Sequence, residues 1–131
     1  MADDPATKVE ASNPSKEQGA LAQPVDLEHL SRYTLGELEL EREVLELFCS
    51  QSQLYVEQLR AANSETDWRN AAHSLKGSAR AIGAWGVAQA AERAEALHGD
   101  SLTELRGARI DEIEVSLREA EGYITAVLKN R

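Results

Sequence analysis

The sequence predicts an all-α fold, an antiparallel up-down four-helix bundle with a short extra N-terminal helix. Three observations predict it. From Val25 onward there is no proline. Apolar residues in that stretch recur at helical spacing, with no period-2 run of useful length. The breaks between periodic segments are short and carry residues that cap helices.

Residues 1–24 hold all three prolines, Pro5, Pro14 and Pro24, among Asp, Ser, Asn and Gln. Such a segment buries too little apolar surface to offset its ordering entropy, which predicts a disordered tail before a domain at 25–131. Val25, Leu27 and Leu30 predict a short first helix capped by Asp26 or a neighbour. Thr34 and Glu37 have the spacing of a capping box. They would open a long helix through Arg60. Its apolar stripe would be Leu40, Val44, Leu47, Phe48, Leu54 or Tyr55, and Leu59, with the Glu-rich run 37–46 as a solvated face.

Asn63, Ser64, Thr66 and Asp67 offer N-caps for a third helix, from near Trp68 to a left-handed stop at Gly83. A fourth helix is expected from about Trp85 to His98, ending at Gly99. The last runs from about Ser101 or Ala108 to Leu128, on Ile110, Ile113, Leu117, Ile124 and Val127 or Leu128.

Composition narrows the function. The chain has 131 residues, enough for one domain with a real core. A net charge of −9 argues against nucleic acid and anionic membrane surfaces as partners. The one cysteine, Cys49, excludes an internal disulfide and points to a reducing, cytoplasmic setting. Met1-Ala2-Asp3-Asp4 does not open a signal peptide, and no stretch approaches the ~18 apolar residues that span a bilayer.

The third helix carries the chemistry. Trp68, Ala72, Leu75, Ala79 and Ile82 fall on one stripe, which must face the core. Arg69, His73, Lys76 and Arg80, spaced by four, three and four, form a second, solvent-facing stripe. Gly77 lies one turn after His73, inside a helix, where glycine costs about 0.5–1 kcal/mol relative to alanine. A missing side chain there clears room beside the ring. Neutral imidazole is a competent nucleophile toward phosphorus, and Lys76 and Arg80 can offset phosphoryl charge. Glu92 and Glu95 of the fourth helix are candidates to hold the far ring nitrogen as N–H. By spacing alone, the same stripe also fits an ordinary solvated face.

Other residues fit structural roles. His98 beside Gly99 reads as a charge–dipole contact at a helix end. His29, His73, His98 and Cys49 form no metal-ligand pattern, so no metal site is expected. Cys49 reads as a packing residue or inert thiol. Trp68 and Trp85 should flank the core at the two ends of the third helix.

The run His73-Ser74-Leu75-Lys76-Gly77-Ser78-Ala79, followed by Gly83 and Ala84, closely resembles the signature of the histidine-phosphotransfer (HPt) domain family. Asp26-Leu27-Glu28-His29-Leu30, Leu35-Gly36 and Leu45-Glu46-Leu47-Phe48 look like the family's opening helices, so the resemblance covers roughly residues 25 to 128. It implies a phosphoryl carrier with no catalysis of its own, exchanging phosphoryl groups with a response-regulator receiver domain, a hybrid sensor histidine kinase, or both. On that basis His73 matches the phosphoacceptor, Lys76 the lysine that assists with phosphoryl charge, and Gly77 the glycine that permits docking. Glu95 falls where several relatives place a Gln or Glu beside the imidazole. Arg69, Ser78 and Arg80 would join the docking face, Arg80 departing from the small or neutral residue common among relatives. The resemblance implies no cofactor on this chain, Mg²⁺ being the receiver's, and a monomer. The competing expectation is a helical adaptor that binds a receiver or kinase but is never phosphorylated. An enzyme is not expected, since no Gly-rich nucleotide loop is present.

Overall fold

Asp26 caps the first helix. Its carboxylate accepts the His29 N–H at 3.1 Å, opening α1 (Leu27–Thr34). The computed structural model describes residues 23–131, so nearly all of the expected tail lies outside the described residues. Four longer helices follow: α2 (Leu38–Ala61), α3 (Glu65–Ile82), α4 (Trp85–Glu95) and α5 (Gly99–Lys129). α3 packs on α2 and α4, α5 packs on the same two, and α1 lies against α2 and α3. This is the up-down bundle with its short extra helix.

The α3 stripe lies where its periodicity puts it. Trp68, Ala72, Leu75, Ala79 and Ile82 are all buried. The Trp68 indole N–H donates to the Ala94 carbonyl at 2.7 Å, tying α3 to the end of α4. Ser64 is the cap that α3 uses, accepting the Asp67 N–H. Gly83 ends the helix at φ +79°, as expected of a left-handed stop.

Three expectations need correction. The first is the core face of α2. Leu45, Phe48, Ser52, Val56 and Leu59 point inward, whereas Leu40, Leu47 and Leu54 are exposed. α2 carries two apolar stripes at helical spacing, and periodicity alone does not say which one meets the other helices. The second is the start of α2. Thr34 remains the last residue of α1, because Leu35 and Gly36 turn the chain at positive φ. Glu37 is then the N-cap, without a side-chain bond. The Thr34 hydroxyl instead donates to Glu41 at 2.9 Å. Arg131 also binds Glu41, at 2.7 Å, so Glu41 is buried rather than part of a solvated face.

The third is the α4–α5 junction. α4 stops at Glu95, and Leu97 turns into the core. His98 becomes the N-cap residue of α5, its N–H donating to Ser101 Oγ at 3.0 Å. It therefore sits at a helix start, not at the end where a charge–dipole contact was expected. The Glu65 carboxylate accepts the Gly99 N–H at 2.6 Å, satisfying a backbone donor of the new helix.

The α1 seat rests on Gly83. Asp26 N–H donates to the Gly83 carbonyl at 2.9 Å, and the Trp85 indole N–H donates to Asp26 Oδ2 at 3.2 Å. His29 Nε2–H donates to the Arg80 carbonyl at 3.0 Å. A Cβ at Gly83 would stand 2.8 Å from both Cβ and O of Asp26. Gly83→Ala should therefore cost about 1–3 kcal/mol through φ and the clash together. Denaturant unfolding checks it, and an unchanged midpoint would contradict this account of the α1 seat.

Candidate functional site

α3 presents His73 outward in mid-helix, with its side chain 68% exposed. One residue from α4 reaches it. Glu95 Oε2 lies 2.9 Å from His73 Nδ1, and Glu95 Oε1 lies 2.5 Å from Lys76 Nζ. A carboxylate only accepts, so Nδ1 carries the proton in this pair. Nε2 is then the ring nitrogen with a free lone pair, and it takes no hydrogen bond among the described residues.

Glu95 and Lys76 are mostly covered, with side chains 20% and 15% exposed. The ammonium of Lys76 holds the Glu95 carboxyl below the usual carboxylate range. Burial opposes that shift, and the His73 bond adds to it.

The other cations of the stripe are paired as well. Arg80 lies 3.8 Å from Glu92 of α4, and Arg69 lies 3.8 Å from Glu65 one turn earlier. The face is therefore a row of compensated charges, not a bare basic patch. Both acidic candidates of α4 thus take part, but only Glu95 touches the imidazole. The sequence offered no way to see that Glu95 divides its two oxygens between His73 and Lys76, since the pairing depends on how α4 sits against α3.

Gly77 is exposed, and a Cβ there would meet nothing within 4 Å. Nothing among the described residues requires glycine at this position. Ser78 is half-buried and stands about 200° around the helix axis from Lys76, so the fold does not bring it to the His73–Glu95 pair. Among the described residues, no three His, Cys, Asp or Glu side chains gather as a group that could hold a metal ion.

The Glu95 shift has a sign that can be tested. A lowered folded pKa contributes stability that is present above the ordinary carboxylate value and is lost as pH falls through the lowered one. Lys76→Met removes the main cause, so the Glu95 carboxyl should titrate at higher pH in the variant. Carboxyl carbon NMR checks this, and identical titration in both proteins would contradict the pairing.

The Hpt domain family model matches residues 43–127. The match begins inside α2 and spans α3, α4 and most of α5, including every residue of the site. No match was found among curated proteins or among solved structures. No helix of the described residues is long and apolar enough to cross a membrane. Hpt domains are helical phosphocarrier modules of two-component signalling, not catalysts. With the matched range covering most of its length, the chain belongs to the Hpt domain family.

Proposed function

We propose that the chain accepts and donates a phosphoryl group on His73 Nε2 in a two-component phosphorelay. The observation that carries this reading is the orientation of the ring: Nδ1 is held by Glu95, and Nε2 takes no hydrogen bond among the described residues on a side chain exposed at the outer face of α3. In the forward step, the Nε2 lone pair attacks the phosphorus of a phosphorylated partner. An Nε2–P bond forms as the P–O bond to the partner's carboxylate breaks, and the carboxylate leaves with the electron pair. The proton on Nδ1 stays in its bond to Glu95. The ring becomes cationic as phosphorus arrives, and the Glu95 carboxylate stabilises that charge.

Lys76 has a second role in this reading. Its ammonium rests on Glu95 Oε1 before transfer. Phosphoryl oxygens on Nε2 then compete for it, as they compete with Glu92 for Arg80. Gly77 leaves the approach to the ring unobstructed, and Arg69 stands one turn before His73 on the same face.

The partners are a response-regulator receiver domain, a hybrid sensor histidine kinase, or both, with Mg²⁺ held by the receiver and no cofactor on this chain. The chain is itself a substrate rather than an enzyme. It works as a monomer in the reducing cytoplasm, consistent with its one cysteine.

Incubation with a phosphorylated receiver or a low-molecular-weight phosphodonor should give acid-labile, base-stable label on wild type. His73→Gln should give none at unchanged helix content. A labelled His73→Gln variant would overturn the assignment, and no label from several donors would favour the unphosphorylated adaptor.

Gly77→Gln separates docking from chemistry. Open space at position 77 means the substitution should raise stability by about 0.5–1 kcal/mol. Transfer from a receiver should nevertheless slow, while labelling by a small donor should not. Unchanged receiver transfer would refute a docking role for the glycine.

A further inference from the structure

α2 carries a second seam that the bundle covers only in part, Val44 packing against the core and Gln51 half-buried. Leu40, Leu47 and Leu54 are 38%, 54% and 55% exposed. With Val44, Gln51, Gln58 and Ala61 they step along the helix by four and three residues in alternation. That is the spacing of a helix that packs lengthwise against another helix. The core seam of α2 lies about a third of a turn away, so the three leucines of the outward seam stay exposed. Three leucines at one heptad position are an aligned strip, unlike the single exposed apolar residues that any surface carries.

The charge beside the strip selects its occupant. In this register Glu43, Ser50 and Glu57 take the flanking position that forms interhelical ion pairs. Among the described residues, neither Glu43 nor Glu57 has an ion-pair partner. The arginines of α2 are engaged elsewhere, Arg42 by Glu39 and Glu46, and Arg60 by Glu114. A second copy of the chain would bring the same glutamates and a net charge of −9 against them. A basic helix would bring the opposite sign.

We propose that this seam docks an amphipathic helix of a protein partner, with apolar residues at heptad spacing and Lys or Arg facing Glu43 and Glu57. Gln51 and Gln58 are polar residues within the seam and would fix the register of that helix. Gln58 and Ala61 share a groove with Asn70 and Ser74 of α3, so the seam ends next to the helix that carries His73. The inference rests on α2 and does not depend on phosphorylation of His73.

The probe is a labelled four-heptad helical peptide with leucine on its apolar face and lysine flanks, beside a twin with glutamate flanks. Fluorescence anisotropy with the full chain should show the lysine peptide bound and the glutamate peptide not. The variant carrying Leu47→Ser and Leu54→Ser should bind about tenfold more weakly, or less, at unchanged helix content. The variant carrying Glu43→Lys and Glu57→Lys should reverse the preference between the peptides. Equal binding of the lysine peptide to wild type and the leucine variant would overturn the proposal, since net charge alone would then explain it. Binding of neither peptide would overturn it too. So would a dimer of the wild-type chain in sedimentation that the leucine variant loses, because a second copy would then fill the seam.

Discussion

The contact between α3 and α4 decides what the surface of this molecule can do. The buried residues of the two helices are largely alanine: Ala71, Ala72 and Ala79 on one, Ala88, Ala90, Ala91 and Ala94 on the other. Small side chains let helix axes approach, and the Trp68 indole bond to the Ala94 carbonyl fixes where α4 ends against α3. Glu95 is the next residue. Its carboxylate therefore arrives within hydrogen-bond reach of a histidine and a lysine one turn apart. A shift of α4 by one residue would swing that carboxylate about 100° away.

This geometry joins fold to function through one carboxylate. Glu95 fixes the ring tautomer, and the tautomer decides which nitrogen is nucleophilic. It also binds the Lys76 ammonium, so in the proposed mechanism that cation stands ready for phosphoryl charge. His73 itself needs no burial. A phosphoacceptor must be reachable by a partner protein, and the exposure of His73 together with the bare backbone at Gly77 fits the proposed role. On the proposed function, a carrier with an exposed nucleophile would draw its specificity from the surfaces around it, the outer seam of α2 being the one proposed above.

Much of this was legible in the sequence because α3 has one apolar stripe and one polar stripe, with no competing phase. Gly83 was legible as a stop because its left-handed φ is the role glycine fills best. α2 was different. Leu40, Leu47 and Leu54 are as apolar as Leu45 and Leu59, and only the other helices select between the two seams. Glu41 was hidden for another reason: Arg131, at the far end of the chain, binds it. His98 was misplaced because α4 ends at Glu95 and the chain turns through Ala96 and Leu97 without glycine or proline, so nothing local marks the boundary. The Glu95 bridge belongs to the same class as Glu41, since both pairings exist only after helices pack.

In the proposed mechanism Glu95 keeps the proton on Nδ1 and leaves Nε2 of His73 to take the phosphoryl group. The most direct test is nitrogen-15 and phosphorus-31 NMR on the phosphorylated full chain, which reads the phosphorylated nitrogen and the protonated one separately. Phosphorus should couple to Nε2, with a proton on Nδ1. Phosphorus on Nδ1, or on any residue other than His73, would contradict it.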